Sequence, residues 1–292
     1  MECKFCLNKG LVHKKLREFK YCENCRIYVR SRGDHQTYML NEKVDVAVKP
    51  NLLSKRLVKL ISGLSGNSDY GLLDFGCGNG RFLVTARERY SRNAGVEISQ
   101  KSKRIAILNS VEVHSKIPLE GFEIITFWHS LEHLPHGTLQ LILNSLSASD
   151  VQWIFLSVPN AESLTTKLFG DFDAFVDPEN HSYIYSVSKL ISLFEGIGFK
   201  VVAQPRIMEY SLFGAFQSSL NIITRTKNEL YLILKRGISF KKFSFFRHAF
   251  GLALVIPVGI IVVAISMLSK KSDPVINLVF RGEEVISNGT IR

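Results

Sequence analysis

A short apolar run ending in evenly spaced glycines constrains this chain more than any other stretch: Leu72-Leu73-Asp74-Phe75-Gly76-Cys77-Gly78-Asn79-Gly80-Arg81-Phe82-Leu83. Apolar residues continue at helical spacing over 81–90, so the stretch reads as strand, tight turn and helix. Glycine tolerates positive φ and lets a ligand approach the main chain closely. A turn that opens onto a helix N-terminus suits a nucleoside-containing ligand. The dinucleotide fingerprint is G-x-G-x-x-G. Here the glycines fall at 76, 78 and 80, so the second interval is one residue short.

That spacing, with Asp74 inside the strand, resembles motif I of the class I S-adenosylmethionine-dependent methyltransferases, and the resemblance extends over about residues 69–202. Ala94-Gly95-Val96-Glu97-Ile98-Ser99 is similar to the family's second strand, whose terminal acid takes the ribose hydroxyls of the cofactor. Glu97 lies 21 positions after Gly76, near the offset at which an acid reaches a ribose in a βαβ unit. Phe127-Trp128-His129-Ser130-Leu131-Glu132-His133-Leu134 is similar to the segment closing the fourth strand, and Leu156-Ser157-Val158-Pro159-Asn160 to the end of the fifth.

The resemblance implies an α/β, Rossmann-like seven-stranded methyltransferase sheet with S-adenosylmethionine as cofactor. It carries Asp74, Gly76, Cys77, Gly78, Gly80, Glu97 and His129 over as cofactor-binding positions. Cys77 also reads simply as a small residue in the turn. The family's acidic or amide residue after the third strand has no clear counterpart in Val113-His114-Ser115, and Ser115 stands in its place.

At 292 residues and 46% hydrophobic, the chain suits one α/β domain with additions. Strands are expected near 71–75, 94–98, 111–113, 123–128, 153–158 and 199–207, with helices near 80–90, 99–109, 138–148 and 188–194. The organisation reads as a zinc-ribbon-like segment (1–30), a linker and leading helix (31–66), the methyltransferase core (67–208), a basic and hydrophobic insertion (209–271), and a last strand and tail (272–292).

The chain opens with Cys3-Lys4-Phe5-Cys6, and 15 residues separate it from Cys22-Glu23-Asn24-Cys25. Two such pairs close a tetrahedron around structural zinc. The alternatives are two disulfides or four unrelated cysteines. No signal peptide is evident, so a reducing compartment is expected, which disfavours disulfides. A metal-stapled cap is the preferred role, because some 30 residues bury too little core alone; a nucleic-acid adaptor is the other. His13 lies between the pairs, but four thiolates suffice.

Transfer of a sulfonium methyl to a hydroxyl needs alignment and a base for the departing proton. His129, His133 and His181 are the candidates. His181 closes a stretch of acids and aromatics, 172–183, that resembles the acceptor side of such methyltransferases ahead of a Ser-x-Ser helix start (Ser186-Val187-Ser188). It reads as a base or acceptor ligand, and alternatively as part of a folded lid.

The formal net charge of +11 is unevenly spread. Residues 225–248 hold seven basic residues (Arg225, Lys227, Lys235, Arg236, Lys241, Lys242, Arg247) against Glu229, and 249–269 hold no charge. The uncharged segment is long enough to cross a bilayer. Pro257 and Gly259 are expected to kink or turn it, and 274–281 reads as the antiparallel seventh strand. A re-entrant or surface-lying hairpin between strands six and seven is therefore expected, with a single span as the rival. Phe240, Phe243, Phe245, Phe246 and Phe250 suit the interface.

The expected function is methyl transfer, on the cytoplasmic side of a membrane, to a small-molecule, lipid-linked or glycan acceptor. The alternatives are an RNA methyltransferase, which the ribbon and charge favour, and a non-catalytic membrane adaptor. Nucleic acid is the less expected partner, because most of the charge accompanies the apolar insertion.

Overall fold

A computed structural model describes residues 2–31, 47–228 and 245–283, and over 245–254 only the backbone. Most of the expected linker, the apolar run at 230–234, Lys235, Arg236, Lys241, Lys242 and the interfacial phenylalanines lie outside the residues or side chains described.

The leading helix α1 (Leu52–Ser65) starts where Asn51 and Ser54 cap each other's backbone and stops at Gly66, left-handed at φ 69°. Its inner face buries Leu57 and Ile61. The α/β alternation then follows as β3 (Leu72–Phe75), α2 (Arg81–Ala86), β4 (Asn93–Val96), α3 (Gln100–Leu108), β5 (Glu112–His114), β6 (Ile124–Trp128), α4 (His136–Ser147) and β7 (Trp153–Pro159). Two hairpin strands, β1 (Phe19–Cys22) and β2 (Ile27–Arg30), precede it.

After β7 come α5 (Leu164–Phe169), β8 (Tyr183–Ile184), α6 (Val187–Glu195), β9 (Phe199–Ala203), α7 (Met208–Thr224), α8 (Phe245–Met267) and β10 (Val275–Gly282). The main sheet has seven strands in the order β5-β4-β3-β6-β7-β10-β9. Neighbours from β5 to β7 are parallel, and β10 is antiparallel to both β7 and β9. The expected seventh strand is thus where its apolar pattern placed it, buried from Val275 to Phe280. Strand β9 ends at Ala203 instead of reaching 207, because Ile207 already caps α7.

The order reverses at β3, with β4 on one side and β6 on the other. Ligands of open α/β sheets bind beyond the carboxyl ends of strands at such a point. A second sheet, β1-β2-β8, is antiparallel and ties the N-terminal hairpin to the chain just after His181.

The insertion between β9 and β10 is the helix pair α7 and α8. Helix α8 runs through Pro257 without the break its sequence suggested. Gly259 serves close packing there, since a Cβ on it would lie 2.6 Å from Phe216. The C-terminal end of α8 is held by Arg206, which donates to the carbonyls of Ser266 and Met267 and to Asp273. Among the described residues no helix is long and apolar enough to cross a membrane.

Candidate functional site

At the switch point the chain leaves β3 through three glycines with φ of 70°, 56° and 79° at positions 76, 78 and 80. Two of these are fixed by close approach. A Cβ on Gly76 would lie 2.6 Å from Ser130, so the glycine turn and the segment after β6 touch. A Cβ on Gly80 would meet Val111 at 2.9 Å. A Cβ on Gly78 would meet nothing within 4 Å, so the middle of the turn faces an open cradle.

Glu97, at the end of β4, folds over this turn. Its carboxylate accepts from the backbone N–H of Gly78 at 2.8 Å and of Ser99 at 2.7 Å. Each oxygen keeps a further lone pair for a ribose hydroxyl. Residues at the start of α2 and at or just beyond the end of β6, on either side of this turn, carry buried polar atoms without a partner: Arg81 Nε, Trp128 Nε1 and Ser130 Oγ. Orphaned groups are expensive in a packed protein and are expected where a polar ligand completes them. The cradle therefore fits S-adenosylmethionine.

Other expected cofactor positions are set further back. Asp74 accepts from Thr126 of β6 at 2.7 Å. The Cys77 thiol packs on Gly95, where a Cβ would come within 2.3 Å of the sulfur, so this residue is small because β4 passes close by. Ser115 is exposed at the end of β5 and accepts from Lys103 Nζ at 2.7 Å.

The three histidines gather around a residue the sequence reading passed over as a site residue, Glu132. It is fully buried (0% exposed), and neither carboxylate oxygen has a hydrogen-bond partner. Its Oε1 lies 3.4 Å from His129 Nδ1 and 4.0 Å from His181 Nε2. The rings of His133 and His181 meet edge to face at 4.8 Å. Burial opposes the charge on Glu132, and the surrounding imidazoles outweigh it and hold its pKa down to about 2. Burial pushes His181 down to about 4 against the pull of Glu132 and Asp177, so its ring is neutral at pH 7. The available signal was spacing, an acid three residues after one histidine and directly before another.

His129 leaves β6 with a left-handed φ of 54°, and its N–H reaches the Ser157 carbonyl at 2.9 Å. Its ring stacks on Phe175 at 5.6 Å and meets the edge of Tyr210 at 5.0 Å. Helix α7, the start of the insertion, therefore walls the site through Tyr210. His181 sits in a loop knotted by Asp177, whose carboxylate accepts from Glu179 and Asn180. The Asp177 N–H faces His181 Nδ1 at 3.3 Å.

The four N-terminal cysteines are brought together and carry no disulfide. Sulfur separations of 3.8 Å for Cys3 and Cys25 and 3.5 Å for Cys6 and Cys22 match the edge of a tetrahedron with metal–sulfur bonds of about 2.3 Å. These thiols could hold zinc. His13 is exposed and not among them.

Comparison with known proteins agrees with this geometry. A family model described as "Methyltransferase domain" matches residues 50–204, over half of the chain. The chain belongs to that family, and it is an S-adenosylmethionine-dependent methyltransferase. Among solved structures it is similar to a putative sarcosine dimethylglycine methyltransferase from Galdieria sulphuraria, with 11% identity over 82% of this chain and 93% of that one and a TM-score of 0.51. It is also similar to an S-adenosylmethionine-dependent methyltransferase from Archaeoglobus fulgidus, with 19% identity, coverage of 79% and 93%, and a TM-score of 0.46. A third is the magnesium protoporphyrin IX methyltransferase of Synechocystis PCC 6803 with bound cofactor, at 14%, 52% and 70%, and 0.40. No curated protein matches.

Proposed function

We propose that this enzyme methylates a hydroxyl of a small-molecule, lipid-linked or glycan acceptor at the cytoplasmic face of a membrane, with His129 as the base. The observation that carries the reading is the pairing of His129 with Glu132. With the imidazole proton on Nδ1 facing the buried carboxylate, Nε2 keeps its lone pair, and that atom is buried without a partner beside the glycine turn. The cofactor supplies an electrophilic sulfonium methyl when bound. His129 takes the acceptor proton as the new bond forms, Glu132 fixes the ring and its tautomer, and Phe175 and Tyr210 exclude water. His181 is less suited, because Asp177 occupies its Nδ1 and its Nε2 is turned to Glu132.

The membrane reading is supported by the outer face of α8. Ile256, Ile260, Ile261 and Ile265 are exposed, as is Leu268 beyond its end, while Val255 and Val262 pack inward. Exposed apolar side chains next to a sequence as basic as 225–248 suit an anionic lipid surface. The cysteine cluster is read as a structural zinc site.

Incubation with methyl-labelled cofactor and either a membrane lipid and glycan extract or an RNA fraction tests the reading. Label is expected in the lipid or glycan fraction and is expected to fall by roughly 10²- to 10⁴-fold in His129→Ala, at saturating cofactor and with the circular dichroism spectrum unchanged. Label entering only RNA would replace the acceptor class, and an unaffected His129→Ala would remove the base.

A further inference from the structure

The buried carboxylate of Glu132 presents a chemical problem that His129 alone does not solve. Both oxygens are shut away from water with no hydrogen bond, although three imidazoles surround them. A buried carboxylate without partners costs several kcal/mol in general. His129 faces one oxygen at 3.4 Å, and the His181 nitrogen, at 4.0 Å, is beyond hydrogen-bond reach. The 4.0 Å between Glu132 Oε1 and His181 Nε2 can be spanned by one cation with bonds of about 2.0–2.2 Å. Glu132, His133 and His181 each offer one donor atom, and all three atoms lie within 4.8 Å of one another.

We infer that Glu132, His133 and His181 form a divalent-cation site at the acceptor side of the cradle. The tautomers can be followed atom by atom. His133 Nδ1 lies 3.1 Å from the Asn180 carbonyl, so its N–H donates there and Nε2 is left to ligate, the usual outer contact of a metal-bound histidine. His181 Nδ1 faces the Asp177 N–H at 3.3 Å. Ligation through Nε2 moves the ring proton to Nδ1, and that long contact gives way. Two imidazoles and one carboxylate suit a borderline first-row cation such as Mn²⁺, Co²⁺ or Zn²⁺ and leave coordination positions open.

Open positions a few ångströms from His129 define the acceptor more narrowly. The site takes a vicinal pair of oxygens, as on a sugar or other polyol, and the cation lowers the pKa of the hydroxyl whose proton His129 removes. This acceptor class rests on the methyl-transfer reading above; the cation site itself does not.

Mn²⁺ binding followed by loss of the free-ion electron paramagnetic resonance signal tests it on the full chain with the cysteine cluster zinc-loaded, since Mn²⁺ prefers oxygen and nitrogen donors over thiolates. The expected result is one Mn²⁺ per chain, weakened more than about tenfold in Glu132→Gln and in His181→Gln, with circular dichroism and cofactor affinity unchanged. Two separate variants guard against one failing to fold. No Mn²⁺ bound at millimolar concentration, or equal binding by wild type and both variants, would overturn the site. Methyl transfer that persists without any bound Mn²⁺ would leave the His129 reading standing alone.

Discussion

Asp74 lies under the glycine turn at 3% exposure, with one hydrogen bond, from Thr126. Burial, only partly relieved by that bond and worsened by the charge of Glu97, pushes its pKa from the ordinary 3.8 up to about 7. Between those values the folded chain holds a proton the unfolded chain has lost. The associated stability is therefore fully present below 3.8 and lost as pH rises through 7. Asp74→Asn keeps an acceptor for Thr126 and cannot ionise. Its melting temperature should match the wild type near pH 4 and exceed it near pH 8, by the equivalent of a few kcal/mol at most, roughly. Parallel melting curves across that range would show that Asp74 carries no linked proton. His129 presents the opposite case at the same scale. A non-glycine residue at φ 54° is strained by about 1–3 kcal/mol, and packing against Phe175 and Tyr210 holds it there.

The β1–β2 hairpin is too small to bury its own core, and the structure gives it two supports. One is the cysteine cluster. The other is the main body, reached through β2 pairing with β8, Phe5 wedged against Tyr183 and His136, the Arg26–Glu162 ion pair, and Ser186 donating to the Cys25 carbonyl. Arg30 N–H also binds the Ser182 carbonyl at 3.1 Å, directly after His181. The loop that carries His181 thus leans on the hairpin. On the structural-zinc reading, stripping the cysteine cluster with a chelator should lower the melting temperature and speed hydrogen exchange at Tyr183 and Ile184. Cofactor affinity should hold within about twofold, because none of the hairpin's described hydrogen bonds or ion pairs reaches the glycine turn. Unchanged exchange at β8 would mean that a zinc ion there, on the structural-zinc reading, supports only the hairpin. The cysteine spacing was readable in the sequence because the ligands are local. The β2–β8 pairing was not, since β8 is two residues long and its partner lies about 150 positions earlier.

Across the whole molecule, the parallel core was legible where apolar strand runs end at a glycine, an acid or a proline, as at Gly76, Glu97 and Pro159, and a helix follows. The insertion was legible as apolar but not as architecture. Tyr210, Gly214 and Phe216 all fall within one largely apolar stretch of sequence, yet Tyr210 faces His129, Gly214 admits Pro274 and Phe216 fills the space over Gly259. The insertion is therefore a shared part, its inner helix walling the histidine cluster through Tyr210 and its outer helix presenting isoleucines. Deleting residues 225–269 would remove the helix that packs on α7 and would confuse folding with targeting. Replacing Ile256, Ile260, Ile261 and Ile265 by serine leaves Val255, Val262 and Gly259 at the α7 contact. On the membrane reading, this variant should keep its cofactor affinity and its rate on a water-soluble acceptor. It should lose most sedimentation with anionic vesicles and most activity on a lipid-linked acceptor, and the wild type's binding should weaken as salt screens the basic segment. A variant that still sediments fully with vesicles would show that α8 does not meet the lipid, and the exposed isoleucines would then need another partner.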